Sequence, residues 1–209
     1  MNSKAELLLQ IENNVKRCRK CRLCQEAQNA VPGEGNIDAE IVFIGEAPGA
    51  TEDQTGRPFV GRAGALLERM LVEIGLKRSD VWIGNIIKHR PPKNRDPLPD
   101  EIHACQPYLE MQLKILQPKL IVTLGRFSMN YFYADGKISR DHGRLIKADD
   151  YNVFPVYHPA AALRNSEFAR ALLADIKKIP DVLEEINGIV KEKAKADEPI
   201  AKGQIGLGI

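Results

Sequence analysis

Residues 40–49 read EIVFIGEAPG, and this stretch decides the fold. Glu40 to Gly45 is a nearly unbroken apolar run of strand length, closed by a glycine and followed at once by a loop rich in Gly, Pro and acid. A strand that is apolar on both faces must be covered on both faces, which is the habit of parallel strands packed between helices. Working outward, three further runs of this kind stand at Val81 to Ile87 (VWIGNII), Leu120 to Gly125 (LIVTLG) and Asn152 to His158 (NVFPVYH). Helical periodicity fills the rest, at about Gly64 to Ile74, Pro99 to Leu116, Arg126 to Phe132 and Glu167 to Ile186. The alternation predicts an α/β fold of three layers, α/β/α, around a central, mainly parallel four-stranded sheet preceded by an N-terminal helix. Ligands of such sheets gather outside the carboxyl ends of the strands, so the segments after Gly45, Ile87, Gly125 and Tyr157 are the ones to interrogate.

A chain of 209 residues with 44% apolar content suits one domain, expected over residues 1–188, with the charged, Gly-dotted residues 189–209 as a tail. Thirty basic against 28 acidic side chains leave a net charge of +2, which excludes a globally cationic nucleic-acid binder and requires any DNA contact to be local. The opening MNSKAELLLQIENNVK is an amphipathic helical pattern without the apolar centre of a signal peptide, and no stretch approaches the ~20 apolar residues of a membrane span. A cytoplasmic protein with no membrane contact is therefore expected. Three of the four cysteines are crowded at Cys18, Cys21 and Cys24, with Cys105 far along the chain, a spacing that points to a metal site rather than to disulfides.

The loop after the first strand carries Glu46, Ala47, Glu52 and Asp53 before Gly56-Arg57-Pro58-Phe59-Val60-Gly61. A phosphate cradle wants bare amides and a lysine; carboxylates here would repel a nucleotide. A carboxylate at a strand end is better suited to holding water or to stabilising developing positive charge. Phe59 suits either core packing or a platform for a flat ring. Asn85, polar among Ile83, Ile86 and Ile87, offers a donor and an acceptor together; it either satisfies the backbone or reads the edge of a base. His158, at the end of the last strand, is structural or catalytic.

Taken together, GEAPG (45–49), TGRPFVG (55–61), NIIK (85–88), RPPKNR (90–95), PLPDEIHAC (97–105) and HPAAALRN (158–165) resemble the family four uracil-DNA glycosylases, enzymes with a 4Fe-4S cluster. The resemblance runs from about Cys18 to Arg164. It implies Glu46 and His158 as catalytic residues, the first holding water or stabilising charge and the second facing a uracil carbonyl oxygen. Phe59 would stack on the extruded uracil, Asn85 would read its edge, and Ala47 would line the base. A flipped base leaves a hole in the duplex, for which Leu163 is the wedge candidate, with Arg164, Arg62 and Lys88 as phosphate contacts.

For the cluster, the resemblance implies Cys18, Cys21 and Cys105 as ligands, with His89 standing where the family carries a third cysteine. Imidazole can ligate iron in such a cluster. Cys24 competes for that place, since C-x2-C-x2-C is a ferredoxin-type run, and a Cys3His zinc site is a third reading. A histidine here also resembles a branch of the superfamily that bonds covalently to uracil-DNA. That branch has an inserted basic loop, whereas this chain passes directly from His89 into RPPKNR. The expected activity is removal of uracil from DNA by a monomeric prokaryotic enzyme at the nucleoid; the competing expectation is a noncatalytic or covalently trapping DNA-binding protein. Gln204 to Ile209 (QIGLGI) resembles peptides that dock on a sliding clamp.

Overall fold

The structure, a computed structural model, describes residues 3–196, with side chains through residue 188. The QIGLGI segment lies outside the described residues. Six strands form one sheet: β1 (Glu34–Gly35), β2 (Ile41–Gly45), β3 (Trp82–Asn85), β4 (Leu120–Leu124), β5 (Ile146–Ala148) and β6 (Tyr151–Val156), in the order β1-β3-β2-β4-β6-β5. The four central strands are parallel, with Gly45 opposite Asn85 and Leu124 opposite Val156. These are the four apolar runs of the sequence. The two edge strands correct the expected count of four: β1 pairs antiparallel with β3, and β5 with β6. At two and three residues, and partly exposed, they carry no alternation long enough to be read.

The helices are α1 (Lys4–Lys16), α2 (Ala50–Thr55), α3 (Arg62–Glu73), α4 (Pro99–Leu116), α5 (Arg126–Phe132), α6 (Ile138–Asp141), α7 (Pro159–Ala162), α8 (Ser166–Ile176) and α9 (Ile179–Ala196). Successive residues of β2 point to opposite faces and so build two cores. Ile41 and Phe43 pack with Leu67 and Leu71 of α3, Leu172 and Ile176 of α8, and Ile186 of α9. Val42 and Ile44 pack with Leu109, Leu113 and Leu116 of α4. A smaller cluster seats Ile11 and Val15 of α1, with Cys18, against Tyr108 of α4. Each such side chain contributes roughly 1.5–3 kcal/mol when fully buried.

The helix expected over Glu167 to Ile186 is two helices. Pro180 has no N–H to give the carbonyl of Ile176 and its ring would clash there, so the chain stops and restarts with the proline in the first turn of α9. Asn165 caps α8 by accepting from the N–H of Glu167 at 2.7 Å. Helix α9 runs on to Ala196, past residue 188. Among the described residues no helix is long and apolar enough to cross a membrane.

Because the parallel strands begin in the middle of the sheet at β2, pass to β3 on one side and then to β4 on the other, the strand order reverses between β2 and β4. The carboxyl ends of β2, β3, β4 and β6 accordingly open a crevice at one edge of the sheet.

Candidate active site

That crevice is a cleft of about 530 Å³, within the range of small-ligand sites, and it gathers Glu46, Ala47, Phe59, Asn85, His158 and Arg164. Glu46 and Ala47 follow β2, Asn85 ends β3, His158 and Arg164 follow β6, and Phe59 arrives on the loop between α2 and α3.

Asn85, the last residue of β3, is 1% exposed, and neither its Oδ1 nor its Nδ2 has a protein partner. A buried amide with both ends unmet carries an unpaid desolvation cost unless something enters the cleft to meet it. The space in front of it is kept by Gly45, where a Cβ would lie 2.5 Å from Asn85 Oδ1 and 2.5 Å from the Phe59 ring. The Phe59 ring lies 5.8 Å from that of His158, tilted by 33°. A flat, apolar floor therefore stands beside an open donor and acceptor pair.

His158 caps α7: its Nδ1 accepts the N–H of Ala160 at 3.0 Å. The ring proton consequently sits on Nε2 in the neutral form. Burial, with help from the Arg164 guanidinium and opposed by the Glu52 carboxylate, lowers the imidazole pKa to about 4. The group is a fixed neutral donor. Glu46 shifts in the other direction, to about 7, because of burial and then the Asp96 carboxylate, with Arg126 working against both.

Leu163 is exposed to 38%, at the end of α7 between cleft-lining Ala161 and Arg164. Arg62 is exposed in the first turn of α3, outside the cleft lining. Lys88 overturns its expected role as a phosphate contact. It is 1% exposed, and its Nζ donates to the carbonyl of Asn85 at 2.9 Å and to Gln112 Oε1 at 2.8 Å. The ammonium turns inward because the end of β3 and α4 together offer it two acceptors, and there it fixes the main chain of Asn85. Burial lowers its pKa to about 8.

Sequence reasoning missed two contributors to the cleft. Asp96, from the loop after β3, and Arg126, the first residue of α5, form an ion pair that lines the cleft, and both act on Glu46. Glu52 accepts from the N–H groups of Val60 and Gly61 at 3.0 and 2.8 Å, tying α2 to the Phe59 loop. Its acidity was visible in the sequence; its partners, eight and nine residues away, were not.

Past the carboxyl end of β3, where the Lys88 main chain meets Cys105, lie the cysteines. Cys18 and Cys105 are buried, and Cys21 and Cys24 are half-buried. Burial raises the Cys21 thiol, the negative charge of Cys18 and Cys24 adding to it, and pushes Cys105 up to about 11, with Cys21 and Cys18 again contributing. Three thiols close enough to feel one another, in surroundings that penalise thiolate charge, form a soft donor set suited to a cationic iron-sulfur core. The main-chain N–H of Lys88 donates to Cys105 Sγ at 3.4 Å. His89 is 3% exposed with Nδ1 unmet, and it lines a cavity shared with Cys24 and Arg19. Among the described residues no group of three His, Cys, Asp or Glu side chains is placed to hold a metal ion.

The sequence profile of the uracil DNA glycosylase superfamily matches residues 32–178, and the chain belongs to that superfamily. It is 50% identical over 185 residues to a type-4 uracil-DNA glycosylase of Sulfurisphaera tokodaii, covering 84% of each chain. Similar relatives of the same description occur in Saccharolobus solfataricus (48% identical, 83% of this chain and 85% of the relative) and Thermotoga maritima (45%, 85% and 95%). These matches set it among the type-4 uracil-DNA glycosylases.

Proposed function

We propose that this protein is a monofunctional uracil-DNA glycosylase, hydrolysing the N-glycosidic bond of deoxyuridine in DNA to leave an abasic site for base excision repair. The observation that carries the proposal is Asn85, buried with its amide oxygen and nitrogen both unmet at the bottom of a cleft floored by Phe59. Uracil presents an N–H beside a carbonyl oxygen, and one amide meets both. Extruded from the duplex, the base stacks on Phe59 beside Ala47.

As the bond between sugar C1′ and uracil N1 breaks, its electron pair leaves with the base, the sugar becomes cationic, and a water oxygen bonds to C1′. His158, neutral and holding its proton on Nε2, donates to the carbonyl oxygen of the departing anion. Glu46, as the carboxylate, holds the water or stabilises the sugar cation. Among the described residues none that lines the cleft is a lysine, the type that would form a Schiff base with the sugar, and the proposed acceptor is water. The noncatalytic and covalently trapping alternatives are disfavoured, since Glu46, Asn85 and His158 all line one cleft.

Leu163 fills the hole left in the duplex, and Arg164 and Arg62 contact phosphates. A 4Fe-4S cluster is held by Cys18, Cys21, Cys105 and His89, whose unmet, buried Nδ1 supports it over Cys24. When bound, the cluster ties the loop of residues 18–24 to the end of β3 and to α4. The enzyme acts as a monomer in the prokaryotic cytoplasm at the nucleoid, with Gln204 to Ile209 tethering it to a sliding clamp. The test is base release from labelled oligonucleotides carrying uracil in single strands, U:G pairs and U:A pairs. Free uracil with an uncut backbone is expected; strand cleavage without added base, or no release from any substrate, overturns the proposal.

A further inference from the structure

Phe59 has φ of +50°, in the left-handed region that a bulky side chain rarely adopts. Such a conformation is strained and persists only where its surroundings over-determine it. Two surroundings do so by close approach: beyond the narrow space at Gly45, a Cβ on Gly64 of α3 would lie 1.8 Å from the Phe59 carbonyl oxygen. The other two are charges of opposite sign. On the far side of Phe59 the Glu52 carboxylate takes the N–H groups of Val60 and Gly61. On the near side Arg78, in a 3-10 turn following α3, donates from Nη1 to the Phe59 carbonyl at 3.0 Å and from Nη2 to the Pro58 carbonyl.

We propose that Arg78 is a positioning residue for uracil stacking, gripping the carbonyls of Pro58 and Phe59 so that the Phe59 ring is held in its left-handed turn beneath the base. The inference rests on the reading of Phe59 as the uracil platform. Arg78 is suited to this task because it is itself held. Its side chain is 19% exposed, and Glu34 of the edge strand β1 accepts from its Nη2 at 2.9 Å. Glu34 in turn is gripped from its other side by Arg57 at 2.8 and 2.9 Å. The short edge strand, invisible in the sequence pattern, thus orients the guanidinium. The planar fork reaches two carbonyls and two carboxylates, Glu34 and Glu68, at once, a geometry that a lysine ammonium does not reproduce.

The test is a double-mutant cycle with Arg78→Met and Phe59→Ala, read as single-turnover uracil release from a single-stranded oligonucleotide. In the Phe59 background Arg78→Met should slow release by about 10- to 100-fold, the scale of a small misplacement in a site. In the Phe59→Ala background the same substitution should cost less than about twofold, because no ring remains to be placed. A general structural role would give equal losses in both backgrounds, and equal losses, or no loss with Phe59 present, overturn the proposal. Normal release by Phe59→Ala alone instead removes Phe59 from the base and overturns the parent reading together with this one. Should Arg78→Met fail to fold, Arg78→Lys enters the same cycle, with a smaller loss that must again vanish without the ring.

Discussion

Asn85 and His89 stand four residues apart on one stretch of chain, both buried and both with nitrogen atoms that no protein group meets, yet their surroundings differ in kind. Around Asn85 the protein supplies its own rigidity. Lys88 holds its carbonyl, Gly45 keeps its approach clear, and His158 is locked by α7 in one tautomer. Around His89 the neighbours are Cys24 and Arg19, across a shared cavity, and the Asp53 carboxylate. The first region is organised before a ligand arrives, as transition-state stabilisation requires. The second consists of donors that a cationic group would organise. Breaking each region should consequently give a different signature, loss of rate in one and loss of integrity in the other.

The largest effects belong to the pocket. His158→Ala and Glu46→Ala should each lower the single-turnover rate by about 100- to 1,000-fold while DNA affinity stays close to wild type, because both act on charge that develops as the bond breaks. Gel-shift affinity measured beside the rate decides this; weaker binding with an unchanged rate on bound DNA would reverse the assignment. Glu46 also sets a pH dependence. Only the carboxylate is useful, so the rate should rise with pH through about 7. Stability runs the other way, since a carboxyl pKa raised from 4.5 to about 7 on folding stabilises the fold at low pH and that contribution is lost as pH rises through about 7. Glu46→Gln should flatten both dependences in rate profiles and thermal melts.

At the cysteine end, His89→Ala should make the proposed cluster labile, seen as loss of visible absorbance and of bound iron during dialysis, while Cys24→Ser keeps both. The opposite pattern would give the ligand position to Cys24.

A smaller contrast separates two basic residues that share a motif-level resemblance to phosphate contacts. Lys88→Met should cost about 1–3 kcal/mol of stability, taking the Lys88 donor from the Asn85 carbonyl and from Gln112 Oε1, with no change in the salt dependence of DNA binding. Arg164→Ala should reduce that salt slope by about one while leaving stability alone. Denaturant melts and binding titrations across salt concentrations distinguish them; a lower salt slope for Lys88→Met would return it to the DNA surface.

The contrast between Lys88 and Arg164 also shows what a linear sequence conceals. The four central strands, α4 and α5 were legible because their periodicity is local. Asn85, Phe59 and His158 were legible as residue types at strand ends and in a glycine-bracketed loop. The inward turn of Lys88 depends on Gln112, and the grip of Arg78 on Pro58 and Glu34, partners 20 to 44 residues distant. No local pattern encodes such pairings. Pro180 was a visible sign that the last long helix is two, and there local chemistry, correctly weighed, would have sufficed.

If the unmet amide of Asn85 reads the edge of uracil, its replacement changes which base is released. The most direct test compares single-turnover release from oligonucleotides carrying one uracil or one cytosine, using the wild type and Asn85→Asp. A carboxylate keeps the acceptor and loses the donor, so uracil release should fall by at least about tenfold, the scale of one lost base-edge contact. Cytosine, whose exocyclic amine can donate to the new oxygen, should gain measurable release over a wild-type background of none. Uracil release by Asn85→Asp at the wild-type rate, with cytosine still untouched, would contradict the account and take Asn85 out of base recognition.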